Sequence, residues 1–145
     1  MSEIAQAVAT VCAGLFAGAA VYISVAEHPA RLACGTSLAA TVFGPSYRRA
    51  AVMQASLAII GTVAGVIAWL SEGGQVWLWA SAFLSFVVPF TLLAIMPTNK
   101  RLLDPALPRD SPEAQALLVK WGHLHAVRSA SGVASFILFV IGSNG

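Results

Sequence analysis

Ionisable side chains are scarce in this chain, so the few that border long apolar runs are where chemistry should be sought. The stretch Trp121-Gly122-His123-Leu124-His125-Ala126-Val127-Arg128 puts two imidazoles and a guanidinium at the threshold of the last such run. Groups of this kind are costly there unless paired or wet. On a helix Trp121, His125 and Arg128 follow an i, i+4, i+7 pattern and share one face. His123 lies about 200° from His125 and points elsewhere, which makes His125 the better candidate. A plainer reading of the same residues is an interfacial helix start, with Trp121 at the headgroups and the cations snorkelling to water.

Three other polar groups sit in comparable places. Glu27-His28-Pro29-Ala30-Arg31 ends the first apolar run, Gln54 stands about one turn inside the second, and Asn99 closes the third. A scattered set of interfacial anchors would not need Gln and Asn among them.

The elements that position these residues follow from composition. Of 145 residues, 58% are hydrophobic and only 10% charged, against roughly 25% charged in soluble domains. Mean hydropathy is +0.80. Four runs reach the length of about 20 residues that a membrane helix needs: Ile4–Ala26, Ala50–Leu70, Val76–Met96 and Leu124–Gly142. They are continuously apolar rather than alternating, so helices are expected and a barrel is not. The expected fold is all-α: one four-transmembrane-helix bundle over residues 1–145, with no second domain. The N-terminus, Met-Ser-Glu-Ile, lacks a basic leader, so the first run is expected to remain as a membrane helix.

Leu32–Pro45 is too short and too broken by Gly35 and Gly44 to span, and is expected to form a re-entrant or interfacial segment after helix one. Pro29 is expected to break the first helix or start another, and Pro89 to kink the third. Asp110-Ser-Pro-Glu113 carries the signals to cap a short helix running into Trp121. Gly14/Gly18 and Gly61/Gly65 are GxxxG spacings suited to close packing inside the bundle. Cys12 and Cys34 lie too far apart along a helix to bond and are expected as free thiols.

All eight basic residues fall in the first and third connections or at their helix ends. The positive-inside rule therefore predicts both termini outside (N-out, C-out), with the long connections cytoplasmic. A bacterial inner membrane is the expected location. Glu27, His28, Gln54, Asn99, His125 and Arg128 then converge at one depth. The sequence predicts a pocket lined by these six, covered by Leu32–Pro45, with Glu27 and Arg128 as an ion pair. The positive charge matches topology and anionic lipid contact, and nothing resembles a nucleic-acid surface.

At these residues the chain resembles a known family. Tyr22…Glu27-His28-Pro29-Ala30-Arg31, Tyr47-Arg48…Gln54, Pro89-Phe90-Thr91…Pro97-Thr98-Asn99…Leu102-Leu103 and Trp121…His125-Ala126-Val127-Arg128-Ser129 are similar to the anthrone oxygenase-like family of small four-helix membrane proteins. The resemblance implies the fold, and an activity that oxidises anthrones to anthraquinones with molecular oxygen. It also places Tyr22 and Trp121 with the substrate-binding residues. His123 is not part of the pattern.

The chemistry this implies needs a base beside a carbonyl-activated C–H and stabilisation of the enolate. His125 or Glu27 could be the base, Arg128 and Gln54 could hold the enolate oxygen, and Asn99 could orient the ring. A lipophilic substrate and oxygen are the expected partners, beside the bilayer itself, and a homo-oligomer is left open. No dinucleotide fingerprint supplies a flavin or nicotinamide. The cofactor question stays open between none and a single metal ion held by Glu27, His28 and His125. A haem on His28 or His125 is a further alternative. The rival from another class is a non-catalytic membrane protein that binds a lipophile, haem or metal for transport or assembly.

Overall fold

The computed structural model describes residues 2–145. Four helices are long and apolar enough to cross a membrane: α1 Ser2–Ala33, α2 Thr36–Glu72, α3 Gln75–Leu102 and α4 Pro112–Ser143. Among the described residues there is no strand. At about 1.5 Å per residue each helix exceeds the roughly 30 Å hydrocarbon core, so their ends project beyond it. Ile4, Val11, Leu15, Val52, Ile59 and Leu93 stand exposed on the outward faces. So many exposed aliphatics would be untenable in water, and lipid is the solvent that suits them. The chain is a multi-pass membrane protein.

The helices form a ring. α1 packs on α2 and α4, α3 packs on the same two, and α2 and α4 meet along a shorter diagonal. Short turns make neighbours antiparallel. Gly73, at φ 75°, caps α2 in the left-handed region and donates its N–H to Trp69 O at 2.7 Å, a conformation that other residues strain to reach.

Small residues let the helices approach closely. A Cβ on Gly61 would lie 2.8 Å from Leu84 and 3.0 Å from Cys12, and one on Gly65 would collide with Phe139 and Ser81. The first GxxxG is only half used: Gly14 faces Phe136, whereas Gly18 has open space. Ser131 and Ser135 fasten α4 to α3, donating to Phe83 O and Ala80 O at 2.7 Å each. In lipid such interhelical bonds matter because the hydroxyl finds no water.

Several boundaries differ from the sequence expectation. Leu32–Pro45 is not a separate segment. α1 runs to Ala33, a turn at Cys34-Gly35 follows, and from Thr36 onward the chain belongs to one continuous helix that carries Pro45 inside it. A 37-residue helix is long enough both to span and to extend beyond the membrane. Pro29 does not break α1 either. A π-helical turn, Ile23–Glu27, precedes it, with the His28 N–H bonded to Ile23 O. The third helix repeats the device, with π-turn Thr91–Ile95 just before Pro97. Proline lacks an N–H and crowds the carbonyl four residues back, and a widened turn relieves that crowding without ending the helix. α3 therefore continues past Pro97 and Asn99 to Leu102.

The 103–111 connection is held by Arg101, which donates to Asp104 and Glu113, each at 2.7 Å. The Ala106 N–H, with help from Arg101, keeps the Asp104 carboxyl below the usual carboxylate range. Ser111 caps α4 by accepting from Ala114 N at 3.1 Å, with Pro112 at the first helical position. The cap opens one 32-residue helix through Trp121 and His125, rather than a short one leading up to them. Cys12 is buried, Cys34 exposed, and both are free, as expected.

Two apolar cores fill the ring. An alanine-rich one around Phe16, Leu84 and Phe139 occupies the end near the termini; the other gathers Ile23, Phe43, Ile95, Leu102, Leu118 and Trp121. The polar site lies between them.

Candidate functional site

His125 is 2% exposed and stacks on Trp121, the ring centroids 4.7 Å apart and the planes inclined by 24°. Its Nδ1 lies 3.1 Å from Ser24 Oγ, Ser24 Oγ lies 2.8 Å from Ser129 Oγ, and Ser129 Oγ lies 3.0 Å from Ala20 O. The Ser129 hydroxyl also lies 3.2 Å from His125 O. With its proton on either backbone carbonyl, Ser24 donates to Ser129 and His125 donates from Nδ1, leaving the Nε2 lone pair free; with the hydroxyl chain reversed, Ser24 donates to Nδ1 and Nε2 carries the proton.

Arg128 is one turn further on, with Nη2 donating to Gln54 Oε1 at 3.0 Å. Its Cζ sits 5.7 Å from the centre of the Phe16 ring, a cation–π distance. Among the described residues it makes no ion pair, the salt bridges being Arg31–Glu27, Arg101–Asp104 and Arg101–Glu113. Gln54, 2% exposed, is oriented by this bond, which leaves its Nε2 without a partner.

These groups border two adjoining spaces. A cavity of about 20 Å³ is lined by Arg31, Phe43, Tyr47, Gln54, Trp121, His125 and Arg128, among others. A groove of about 190 Å³ between α2 and α3 has Tyr47, Gln54 and Arg128 at one side and Ala55, Ala58, Val87, Val88, Leu92 and Met96 along its walls. Tyr47, Ala51, Gln54 and Arg128 border both. On the other side of Trp121 a cleft of about 230 Å³ is lined by Ser24, His28, His123 and His125. A larger space of about 500 Å³, around Trp79, Phe83 and Phe86, is almost wholly apolar and carries none of these polar groups.

Gln54, Trp121, His125 and Arg128 therefore come together as expected, on one helix face and its neighbour, and His123 is exposed. The other candidates do not join them. Tyr22 is 61% exposed on the outer face of α1; Tyr47 supplies the aromatic hydroxyl at the groove instead. Glu27 does not pair with Arg128. It accepts from Arg31 at 2.8 Å and from Ser46 at 3.1 Å, the nearer cation being one turn away on its own helix. His28 donates from Nε2 to Leu118 O at 3.0 Å and packs on Trp121 at 5.0 Å, on the cleft side. Gly122 is needed for that placement, since a Cβ would meet the His28 ring at 2.9 Å. Asn99 is buried with neither amide atom partnered, and lines neither the cavity nor the groove.

The metal set of Glu27, His28 and His125 does not assemble. Among the described residues no three His, Cys, Asp or Glu side chains are placed to hold an ion. Glu27 is turned to Arg31 and Ser46, and His28 to the α4 backbone. The π-turn explains part of this, because its extra residue changes the faces on which Glu27 and His28 emerge.

Sequence reading missed Ser24, Arg31 and Ser46. Arg31 carried a usable signal, being four residues after Glu27, the spacing of a helical Glu–Arg pair. Ser129 carried a similar one, a turn beyond His125. Ser24 carried none, because its reach to α4 depends on the π-turn.

Fold and site together define a small four-helix membrane protein with a buried imidazole and an unneutralised guanidinium beside a lipid-side groove. The family model for anthrone oxygenase matches residues 43–138, and the chain belongs to that family. The matched stretch includes Gln54, Asn99, Trp121, His125 and Arg128, whereas Tyr22, Glu27 and His28 lie before it. No curated protein and no solved structure matches the chain.

Proposed function

We propose that this protein is a membrane-embedded oxygenase that oxidises an anthrone, or another lipophilic aromatic substrate with a carbonyl-activated C–H, using molecular oxygen. The observation that carries the reading is the buried His125 imidazole, which lines a small cavity sharing Tyr47, Ala51, Gln54 and Arg128 with an apolar groove. The substrate enters the groove from the bilayer and lies with its carbonyl toward Arg128 and Gln54. The cavity between His125 and the groove has room for about one water, and a base can act through one water. Proton removal leaves an enolate, whose oxygen Arg128 stabilises. The carbanion carbon forms a C–O bond with dioxygen to give a hydroperoxide. His125 returns a proton, water leaves, and a methylene plus dioxygen has become a carbonyl plus water.

The test is oxygen uptake by purified protein given an anthrone, beside an Arg128→Ala control. Uptake above the spontaneous rate that falls in the variant is the expected result. A non-catalytic lipophile-binding protein would bind the anthrone and consume no oxygen.

For orientation we propose both termini outside and the basic connections cytoplasmic, in a bacterial inner membrane. Single cysteines placed at Ser46, Gln75 and Ser143 are expected to label from the cytoplasm at 46 only. Cytoplasmic labelling at 75 would reverse the assignment.

A further inference from the structure

At the basic end of the bundle a recess of about 200 Å³ lies where α2 meets the end of α3. Thr41, Gly44 and Arg48 line it from α2, and Leu102, Leu103 and Arg109 from the opposite side. Arg109 is held by backbone, its Nη1 donating to Leu102 O at 2.6 Å and its Nη2 to Asp104 O at 3.5 Å. A guanidinium carries further N–H groups, so donors remain. Arg48 is exposed, and neither arginine makes an ion pair among the described residues. The acids of this face are engaged elsewhere or solvated. Glu27 accepts from Arg31 and Ser46, and Glu113 takes Arg101 on both oxygens. Asp104 is near enough to feel Arg109 but gives its oxygens to Arg101 and the Ala106 N–H. Asp110 is exposed, without an ion pair. Capping of α3 accounts for Arg109 and snorkelling accounts for Arg48, each alone. Neither accounts for two uncompensated guanidiniums from separate elements bordering one recess.

The recess also sits at a particular depth. A hydrocarbon core of about 30 Å takes roughly 20 residues of helix, so counting back from Trp69 near the end of α2 brings the opposite boundary to Arg48 and Arg49. That is the level of lipid phosphates. Along α2, Gly44, Arg48, Ala51, Ala55 and Ala58 recur every three or four residues and form one stripe. The first two line the recess and the other three line the groove. A basic recess at headgroup level thus stands in line with an apolar slot facing the acyl chains. We infer that the recess binds the phosphate of an anionic phospholipid through Arg48 and Arg109, with its acyl chains continuing into the bilayer beside the groove. The inference does not depend on the oxygenase reading. Guanidinium–phosphate bonds are charge-assisted and often bidentate. A zwitterionic lipid offers the same phosphate with a cation beside it, so two arginines without counterions favour the anionic kind. The bound lipid bridges the 103–111 connection, through Arg109, to α2, through Arg48.

The test uses the full-length protein in a neutral detergent, titrated with phosphatidylglycerol or phosphatidylcholine and followed by native mass spectrometry and thermal melting. Wild type is expected to bind phosphatidylglycerol saturably, and to melt at a higher temperature with it than with phosphatidylcholine. Arg48→Gln removes an exposed side chain that has no ion pair, so without lipid it should melt like wild type. Its affinity for phosphatidylglycerol should fall about tenfold. Arg109→Gln should show a similar loss, together with a lower melting temperature from the lost α3 cap. Arg49→Gln removes the same charge at the same depth, outside the recess, and should bind like wild type. Equal losses in Arg48→Gln and Arg49→Gln would mean diffuse surface attraction and overturn the recess. Unchanged binding in Arg48→Gln, or no saturable binding by wild type, also overturns it. Equal affinity for the two lipids overturns the preference for an anionic one. Inorganic phosphate or glycerol phosphate that protects as well as the lipid at equal concentration would make this a free-phosphate site and overturn the lipid assignment.

Discussion

A His125→Gln variant is expected to lose about 10²–10⁴-fold in turnover of an anthrone, the range that a positioned general base contributes. Glutamine keeps a polar group near Ser24 and much of the volume against Trp121, so the variant should stay folded. An unchanged melting curve and elution profile would establish that. The loss should fall mainly on kcat, because His125 does not line the groove. His123→Ala is the contrast. His123 is exposed on the cleft side, and its replacement should leave most of the turnover. If the two variants lost equally, or His123→Ala lost more, His125 would not be the base.

The second large effect is at Arg128. Replacing it with alanine removes the unneutralised charge beside the groove, leaves Gln54 Oε1 without its donor and opens space over Phe16. Removing a group that stabilises a developing oxyanion costs about 10²–10³-fold in kcat. Arg128→Lys should recover part of this, since the charge returns without the planar fork that fits Gln54. Measuring kcat and KM separately distinguishes the roles. A loss confined to KM would show that Arg128 only holds the ring in place. Full rescue by lysine would show that charge alone suffices and the geometry of the Gln54 bond does not matter.

The sequence carried the bundle because twenty-residue apolar runs have few other solutions. It carried the His125, Arg128 and Gln54 cluster because helical periodicity and alternating helix directions are simple geometry. What it did not carry depends on departures from that geometry. Two π-turns let Pro29 and Pro97 sit inside continuous helices, and they alter which faces Glu27 and His28 present. Glu27 was therefore assigned to a distant arginine, when a neighbouring one at helical spacing was available. Tyr22 was placed by resemblance, and its position on α1 turns it outward. Asn99 was placed by depth alone, and depth does not determine direction. The hydroxyl chain from His125 through Ser24 and Ser129 to Ala20 was illegible, because serines in apolar helices also bond to their own backbone, as Ser81 does to Trp77 O.

The central claim, that His125 and Arg128 together drive oxygen into an activated C–H, is tested most directly by isotope. Purified protein in detergent is given an anthrone under heavy-oxygen dioxygen, and the quinone is analysed by mass spectrometry within the first turnovers, before spontaneous oxidation contributes. The account predicts one labelled oxygen per quinone, at a rate that collapses in both the His125→Gln and Arg128→Ala proteins. Quinone formed at the protein-free rate, or at equal rates by wild type and both variants, would contradict it.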